Sequence, residues 1–482
     1  MLSEFRCGLR AESADEGEKV NAKASARSTL RTESELAMTQ RGSRLSAKLA
    51  ISASLMSAVA CGQVEGSQEG TRKTVSIYSW WVLDGERNAL EGVIATHEKK
   101  HPGVKIQNLT GANADEARLQ LTTSIETGNP PDSYQANIGQ DLMKWVKSNG
   151  MNTLETPLSP IDEWVDKQLF YSRIVDQVTA EGKFWAVPVN IHRINTLFFN
   201  RSVFGGPDNI PEPHEGMTFD DLLDLCKRIK ATKPNVTPLV LGNQSLWELE
   251  ELVFEDVFPS IAGAEFYESY WRGKENANDA RLVSAIEKAL LLRDYVNPDY
   301  DKFDWAEALR KMMQPSDGTL YAMVAIGDWA KGYFTAKRWG DNQVGSVQFP
   351  SAEPTFIYTA DSLALPIKDS ATHELAAQLL QTFAEKDVQV EFNRLKGSIP
   401  ARLDIDVSAN PSFDAAQVQT YQAWKDPKTK WSLALSGLVP NGLLTGLSDA
   451  LNSSFTSGDS TVILNYLRRN YSTLTSYGAR PQ

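Results

Sequence analysis

Cysteine and positive charge are both in short supply in this chain of 482 residues. Its three cysteines, Cys7, Cys61 and Cys226, are too few for a disulfide scaffold and too widely spaced for a zinc ribbon. Cys226 recurs at helical spacing with Leu222 and Ile229, which indicates a small buried residue rather than a reactive thiol. Acidic residues outnumber basic ones by 61 to 49, giving a formal net charge of −12. This balance argues against a nucleic-acid partner, which would require a basic surface.

The apolar run near the N-terminus, Leu49 to Ala60, is too short to cross a bilayer, for which about 20 residues are needed. It follows Met38 after three basic residues, an order typical of an export signal. The four residues that end in Cys61, Ala-Val-Ala-Cys, resemble the lipobox of bacterial lipoproteins, whose cysteine is acylated. The alternative is ordinary export with cleavage near Ala60, which would leave the protein free.

These features divide the N-terminal part into three segments. Residues 1–37 are polar and lack apolar periodicity, so we expect a non-native or disordered extension. Residues 38–60 are predicted to be the lipoprotein signal peptide, and residues 61–73 a flexible tether that is short, polar and rich in glycine. The mature protein would then be exported and anchored to a membrane by lipid on Cys61.

The next part of the chain alternates strand-like and helix-like patterns. Short runs at Thr74–Ser79, Val104–Leu109 and Ser133–Ala136 predict strands. Apolar residues at helical spacing in Glu86–Lys100 and Ala117–Thr127 predict the helices between them. Strands that alternate with helices form a parallel sheet, and ligands bind outside the carboxyl ends of its strands. We therefore expect a ligand at the loops after the first and third strands.

Two sequence features resemble catalytic motifs, but neither is sufficient evidence for an enzyme. His97 and His101 match the H-E-x-x-H zinc pattern, but Pro102 should end the helix there and the intervening lysines would repel a dication. An acidic cluster could supply a glycosidase carboxylate pair, although its helical spacing favours a solvated face. Its members are Glu248, Glu250, Glu251, Glu255 and Asp256. No complete nucleophile elbow, Walker A loop or dinucleotide-binding motif occurs, so we predict no metal site, cofactor or catalytic residue.

Tryptophan is abundant, with twelve residues, and several occur where sugar recognition would need them. An aromatic ring covers the apolar face of a pyranose, while planar polar side chains bind its hydroxyls in pairs. Trp80 and Trp81 follow the first predicted strand, and Glu86 opens the next helix; Gln135 and Asn137 lie at the end of the third strand. Because two adjacent exposed indoles are costly unless something covers them, this edge is the predicted sugar site.

Five patches in the mature chain resemble the glucose/mannose-type sugar-binding proteins of ATP-binding-cassette (ABC) importers, which are extracellular sugar-binding proteins of the family 1 type. They keep the family's order and span nearly the whole mature chain. The patches are Ser-Trp-Trp-Val-Leu-Asp-Gly-Glu at 79–86, Gly-Asn-Pro-Pro-Asp-Ser-Tyr-Gln at 128–135, Phe-Trp-Ala-Val-Pro-Val-Asn-Ile-His-Arg at 184–193, Gly-Asp-Trp-Ala-Lys-Gly-Tyr at 327–333 and Leu-Lys-Gly-Ser-Ile-Pro-Ala-Arg at 395–402.

The resemblance implies an α/β fold of the two-lobed, type II periplasmic-binding-protein kind, with hinge strands between the lobes and the ligand enclosed by them. The first lobe would comprise residues 74–188 and about 361–403. The second lobe would comprise residues 189–360 and about 404–482.

The resemblance also implies ligand contacts from both lobes. The residues are Trp80, Trp81, Glu86, Gln135, Asn137, His192, Trp247, Asp328, Trp329, Asp361 and Lys396. The two adjacent indoles would stack on or flank the ring. Other roles stay open for some members: Trp247 and Trp329 could serve packing, His192 could support the hinge, and Lys396 could pair with Asp361.

The resemblance implies a solute-binding lipoprotein that captures a neutral sugar, glucose or a related monosaccharide, and delivers it to the transmembrane subunits of an ABC permease. We expect an exported monomer, periplasmic or at the cell surface, that catalyses nothing. Asn137 stands where relatives commonly have histidine, which leaves the sugar's identity open. The alternatives are a polyol or oligosaccharide bound by the same fold, or an exported glycan hydrolase. A polyamine would require a cage of carboxylates, which we do not expect here.

Overall fold

The computed structural model describes residues 73–110, 114–146, 158–315, 318–368 and 371–478. The chain divides into two compact units, residues 1–69 and 70–482, and every described residue belongs to the second. The predicted signal peptide, the lipid-attachment residue Cys61 and the tether up to residue 72 lie outside the described residues. Within the described part, none of the helices has both the length and the apolar character needed to span a membrane.

Most strands are short, and they associate into sheets that draw on distant parts of the chain. They are β1 (Lys73–Tyr78), β2 (Val104–Asn108), β3 (Ser133–Asn137), β4 (Thr179–Ala180), β5 (Lys183–Phe184), β6 (Ala186–Pro188), β7 (His192–Arg193), β8 (Thr196–Asn200), β9 (Val236–Leu239), β10 (Leu320–Ala325), β11 (Val344–Gln348), β12 (Thr355–Thr359), β13 (Asp361–Ala364) and β14 (Lys430–Leu433).

The first sheet has the strand order β2-β1-β3-β13-β6. β1 pairs in parallel with β2 and β3, so the predicted parallel arrangement is confirmed, while β13 pairs antiparallel with β3 and β6. The second sheet has the order β11-β8-β10-β9, the third has the order β14-β12-β7, and β4 pairs with β5. The chain therefore returns to the first sheet, through β13, after it has built the second.

The helices surround these sheets. They are α1 (Asp84–Lys100), α2 (Ala114–Glu126), α3 (Gln140–Met143), α4 (Ser172–Val175), α5 (Phe219–Thr232), α6 (Trp247–Glu250), α7 (Phe258–Ala262), α8 (Ala264–Trp271), α9 (Ala280–Leu290), α10 (Trp305–Met313), α11 (Ala330–Ala336), α12 (His373–Ala384), α13 (Lys386–Lys396), α14 (Ala415–Lys425), α15 (Leu435–Leu438), α16 (Asn441–Ser457) and α17 (Thr461–Gly478). Short 3₁₀ turns occur at 167–169, 201–203 and 291–294.

Packing against α1 fixes the edge of the first sheet. This helix buries Leu90, Val93 and His97 at helical spacing, and it packs against β2, α12 and α13. Val75 and Ile77 of β1 are fully buried. Since burying side chains of this size contributes about 1.5–3 kcal/mol each, the loop that follows β1 starts from a firmly held strand.

A π-helix runs from Glu251 to Val257, between α6 and α7. All seven of its residues are buried, because α6, α7 and α9 pack around it. The prediction that the acidic cluster forms a solvated face is wrong. Its five members, Glu248, Glu250, Glu251, Glu255 and Asp256, are exposed by only 4%, 8%, 3%, 8% and 1%. π-Helical turns are rare and often occur at functional sites, so this segment is a candidate for function.

The predicted assignment of whole segments to two lobes stays a prediction. The strands of the first sheet come from residues 73–188 and 361–364, whereas those of the second come from residues 196–348. The short loops after β6 and β12 are therefore places where the chain passes from one sheet to another.

Candidate ligand-binding site

A cavity of about 530 Å³ lies at the carboxyl ends of β1 and β3. This is where ligands bind in open α/β sheets, and the volume lies in the range of small-molecule sites. Nine of the eleven predicted residues line it: Trp80, Glu86, Gln135, Asn137, His192, Trp247, Trp329, Asp361 and Lys396. Trp81 and Asp328 do not. Direct contact between the nine residues and a ligand stays a prediction.

The lining side chains fall into groups according to the elements that carry them. The first wall comes from the edge of the first sheet, α1 and α13, and consists of Trp80, Glu86, Gln135, Asn137, Asp361 and Lys396. The second wall comes from α6, the π-helix and the starts of α10 and α11, and consists of Trp247, Glu250, Glu251, Glu255, Trp305 and Trp329. His192 of β7 and Thr359 of β12 add the third sheet to the lining.

Gln135 ties the loop after β1 to the rest of the first wall. Its side chain is fully buried; Oε1 accepts a hydrogen bond from the backbone N–H of Trp80 (3.0 Å), and Nε2 donates to Oδ1 of Asp361 (2.7 Å). The amide of Gln135 thus holds the backbone of Trp80, whose indole is half-buried, and also orients the carboxylate of Asp361. That is the pairing of groups that sugar hydroxyls require.

Charges in the first wall are paired. Lys396 Nζ donates to Oε1 of Glu86 (2.7 Å) and lies 3.8 Å from Oδ2 of Asp361, and Asn190 Nδ2 donates to the same Oδ2 (2.7 Å). Burial alone would raise the pKa of Asp361, but Lys396 and His192 outweigh it and hold that pKa well below its usual range. Burial would likewise lower the pKa of Lys396, but the two carboxylates raise it. Both groups therefore stay charged although they are buried.

His192 connects the first wall to Asp328. Its Nδ1 contacts Oδ1 of Asp328, and its Nε2 lies 3.0 Å from Nδ2 of Asn190 and 3.5 Å from Oδ2 of Asp361. Burial and Lys396 would lower the pKa of His192, but the adjacent carboxylates raise it. Asp328 was expected to contact ligand, yet it lies behind the histidine, where Oδ2 also accepts the backbone N–H of Arg193 (3.0 Å). It positions His192 rather than lining the cavity.

Trp81 differs from its neighbour Trp80. Its side chain is 1% exposed, and its ring packs edge-on against Phe392, with centroids 4.9 Å apart, and against Phe383. The expectation that both indoles are exposed is therefore wrong for Trp81. Successive side chains at the end of a strand point to opposite sides, so one indole enters the core beneath α12 and α13 while the other faces the cavity.

Three tryptophans form the aromatic part of the second wall. The ring of Trp329 lies 6.1 Å from that of Trp247 and 5.5 Å from the imidazole of His192, between centroids. Gly327 makes room for Trp329, since a Cβ at that position would lie 2.1 Å from a ring carbon. Leu246, with φ 69°, adopts the left-handed conformation that directs the chain into Trp247. Trp305 was not predicted, because nothing in its sequence neighbourhood separates it from a core residue.

Three glutamates form the acidic part of the second wall, and we call Glu250, Glu251 and Glu255 the acid triad. Oε1 of Glu251 accepts the backbone N–H of Gly327 (2.7 Å). Oε1 of Glu255 accepts the backbone N–H of Leu435, and Oε2 of Glu250 accepts the hydroxyl of Ser448. Each carboxyl group is thus oriented by a bond from a different element.

Burial is the main influence on the protonation of the acid triad. It raises the pKa of Glu250 to about 8 and that of Glu255 to about 7. Burial and the neighbouring acids raise the pKa of Glu251 well above its usual range. A usable signal for this cluster was present in the sequence: its helical segment carries apolar residues on every side, which is typical of a buried helix.

The H-E-x-x-H segment lies away from the cavity. The helix α1 ends at Lys100, as the following proline predicts. His97 is buried, with Nδ1 2.8 Å from the hydroxyl of Thr382, and its ring stacks on that of His101 at 4.4 Å. Burial and His101 lower the pKa of His97 to about 4. In the described residues, no group of three or more histidine, cysteine, aspartate or glutamate side chains has the geometry of a metal site.

Comparison with known proteins identifies the class. The family model for the bacterial extracellular solute-binding protein matches residues 92–425, and the chain belongs to this family. An uncharacterized ABC transporter extracellular-binding protein of Pyrococcus horikoshii is 31% identical over 445 residues, which cover 88% of this chain and 95% of that relative.

Two further comparisons bear on the fold and the class. A probable sugar-binding periplasmic protein of Mesorhizobium japonicum is 29% identical, and the match covers 71% of this chain and 78% of that protein. A chitin oligosaccharide binding protein of known structure has a TM-score of 0.68 at 18% identity, covering 85% of this chain and all of that one. The predicted two-lobed type II α/β fold is confirmed by this likeness.

Proposed function

We propose that this protein is the sugar-capturing component of an ABC importer, binding glucose or a related monosaccharide between two lobes without converting it chemically. One observation carries the proposal: tryptophan rings from both walls surround a single cavity together with an amide, carboxylates and an ammonium group that are already hydrogen-bonded. A relative named as a probable sugar-binding periplasmic protein supports the same ligand class.

In this proposal each wall contributes a different kind of contact. Trp80 covers one apolar face of the pyranose, and Trp247 and Trp329 flank it from the second wall. Asp361 accepts from one hydroxyl and Lys396 donates to its neighbour. Because their partners in the protein already hold these side chains in place, little ordering entropy is lost on binding.

Binding is proposed to close the two lobes. A sugar that touches both walls stabilises the closed form and shifts the hinge equilibrium toward it. Closure expels water, so every hydroxyl that loses a water partner has to gain one from the protein. The permease would recognise the closed shape.

The cellular setting is proposed from the N-terminal sequence. The Ala-Val-Ala-Cys pattern supports acylation of Cys61, and a monomer anchored by that lipid would work in the periplasm or at the cell surface. We expect Cys61→Ser to release the protein from the membrane fraction after cell lysis. Cys226→Ser is the matched control, since that thiol is buried in the fold. Equal membrane retention of both variants would contradict the lipid anchor.

A thermal-shift screen of the full chain tests the ligand class. Neutral monosaccharides, disaccharides and polyols are compared, because a ligand that binds only the folded state raises its stability, by about 2.7 kcal/mol at one hundred times Kd. We expect at least one monosaccharide to raise the melting temperature and Trp80→Ala to reduce the shift. A shift with polyols or disaccharides alone would favour the alternative ligands, and silence across the library would contradict the proposal.

The acid triad is also the feature that favours a second candidate, an exported glycan hydrolase. Carboxyl groups with raised pKa values can act as general acids in glycoside hydrolysis. Prolonged incubation with oligosaccharides and aryl glycosides decides between the two. We expect no product; turnover that is lost in Glu250→Gln would establish the hydrolase instead.

A further inference from the structure

The charges that line the cavity are balanced on the first wall but not on the second. Lys396 lies 2.7 Å from Glu86 and 3.8 Å from Asp361, and Lys144 lies 2.6 Å from Asp141 at the edge of the cavity. In the part of the chain that the structure describes, no lysine, arginine or histidine forms an ion pair with the acid triad. Three carboxyl groups therefore face one cavity without a counter-charge from any described residue.

Such an arrangement is costly unless something compensates it. The side chains of Glu250, Glu251 and Glu255 are at most 8% exposed, and an isolated buried carboxylate loses several kcal/mol of solvation. The backbone N–H groups of Gly327 and Leu435 donate to two of the three carboxyls, bonds that favour the ionised form. The missing compensation is either a proton or a cation that arrives with the ligand.

Another polar group beside the cavity also lacks a partner. Thr359 is 7% exposed and lines the cavity, yet its hydroxyl forms no hydrogen bond with any described residue. Its cross-strand neighbour in the third sheet is His192 of β7, and Asp361 of β13 in the first sheet follows two residues further along the chain. An unpaired buried hydroxyl at this position indicates that a polar ligand completes the site.

The second wall also provides aromatic rings beside its carboxyl groups. Trp247, Trp305 and Trp329 line the same cavity as the acid triad, and indole faces attract ammonium groups through their quadrupole. We propose that the sugar taken by this cavity carries a protonated amino group, which lies against the acid triad. The inference rests on the proposed function and narrows its ligand from neutral sugars to amino sugars.

Ligand binding should also change the number of protons bound to the acid triad. Burial raises the pKa values of Glu250 and Glu255 to about 8 and about 7, so both groups retain protons in the empty cavity just below neutrality. Titratable groups that interact with the triad include Glu248 and Asp256 of its own helical segment, Tyr267 of α8 and Tyr466 of α17; none of these four is a cation. An arriving ammonium therefore displaces protons from the triad.

Calorimetry of the full chain at pH 6.5 tests the inference with matched ligands. D-glucosamine is compared with D-glucose and N-acetyl-D-glucosamine, which lack the cation, and the series is repeated with the galactose and mannose analogues. We expect one amino sugar to bind at least tenfold more tightly than its hydroxyl and N-acetyl counterparts. Its binding enthalpy should vary with the ionisation enthalpy of the buffer, reporting release of about one proton, as linkage between binding and protonation requires.

Two variants and a control locate the effect. Glu250→Gln and Glu255→Gln should each reduce the preference for the amino sugar over its hydroxyl counterpart to threefold or less. Asp256→Asn is the control: it removes a carboxyl of the same helix that is 1% exposed but does not line the cavity, and it should keep the preference. Circular-dichroism melts verify that all three variants are folded.

The outcomes separate this inference from the proposed function. If neutral sugars bind as tightly as their amino counterparts, the inference fails and the sugar-binding function stands. If no sugar of either kind binds, both fail. Binding of spermidine or putrescine in preference to every sugar would also overturn both, because the acid triad would then belong to a polyamine site.

Discussion

The two walls of the cavity solve the problem of buried charge in different ways. In the first wall, Lys396 is enclosed by Glu86 and Asp361, so each charge has a partner before any ligand arrives. In the second wall, the acid triad has hydrogen-bond donors but no cation among the described residues. In the amino-sugar proposal, the paired charges of the first wall orient side chains, and the acid triad of the second wall selects the ligand. We therefore expect the first wall to govern sugar binding in general and the second wall to govern which sugar binds.

The largest expected effect is on stability, and it distinguishes the buried indole of Trp81 from the cavity-lining indole of Trp80. Trp81→Ala should lower the free energy of unfolding by about 3–5 kcal/mol, because it removes a large buried side chain from the core. Trp80→Ala should leave stability nearly unchanged and lower sugar affinity, since a stacked ring contributes about 0.5–1.5 kcal/mol beyond area burial. Urea titration and calorimetry measure the two effects. Equal effects of both substitutions on affinity would mean that the side chains are misassigned.

The next effect tests the paired charges. Asp361→Asn should lower the free energy of unfolding by about 3 kcal/mol, because removing one partner leaves Lys396 and His192 with less compensation in a buried site. Chemical denaturation measures it. The control is Asp224→Asn, which breaks the surface ion pair with Lys227 and should cause no measurable change. A loss for Asp361→Asn no larger than that of the control would contradict the paired network.

The dependence of stability on pH should differ between the walls. Glu250 has an unfolded pKa near 4.5 and a folded pKa of about 8, so the folded state holds its proton more tightly. The contribution of the Glu250 proton to the free energy of unfolding is complete below pH 4.5 and is lost as the pH rises toward 8. The lowered pKa of Asp361 acts in the opposite sense: its effect is present above its unfolded pKa near 3.8 and is lost as the pH falls further.

Denaturation at several pH values between 5 and 8 measures the first of these effects. A group of this kind changes the free energy of unfolding by up to about 1.4 kcal/mol per pH unit. Glu250→Gln should flatten the decline, whereas Glu265→Gln, whose side chain is 80% exposed, should leave it unchanged. A decline that persists in full in Glu250→Gln would show that other groups cause it.

The smallest expected effect on sugar affinity concerns the space that Gly327 leaves for the indole of Trp329. Gly327→Ala places a Cβ within 2.1 Å of the indole of Trp329, so the ring has to move, and we expect sugar affinity to fall about fivefold, or about 1 kcal/mol. Gly340→Ala is the control, because the nearest atom to its added Cβ is 3.8 Å away. Affinity unchanged in both variants would remove Trp329 from the site.

Much of the first wall could be predicted, because strand ends have a fixed relation to a sheet edge. Trp80 and Gln135 follow from the strand pattern alone, while Asp361 and Lys396, more than two hundred residues further along, came from the resemblance. Trp81 could not be assigned correctly from its position, since the side chosen by each of two adjacent residues depends on the packing of α12 and α13. The position of Asp328 behind His192, away from the cavity, could not be predicted for the same reason, because it also depends on distant packing.

The acid triad was misread for a different reason. Five acidic residues within nine positions normally indicate a solvated face, because buried carboxyls are costly. Here α6, α7 and α9 enclose the segment, and the π-helix changes the residue spacing on which a helical projection relies. The rule therefore failed at the candidate site, where tertiary packing buries all five acidic side chains.

The most direct measurement is isothermal titration calorimetry of the full chain with D-glucose, D-mannose, D-galactose and their amino derivatives. The proposed function predicts saturable binding of at least one of these sugars with a stoichiometry of one per chain, weakened by Trp80→Ala. No saturable heat with any of them, from a protein that is folded by circular dichroism, would contradict it.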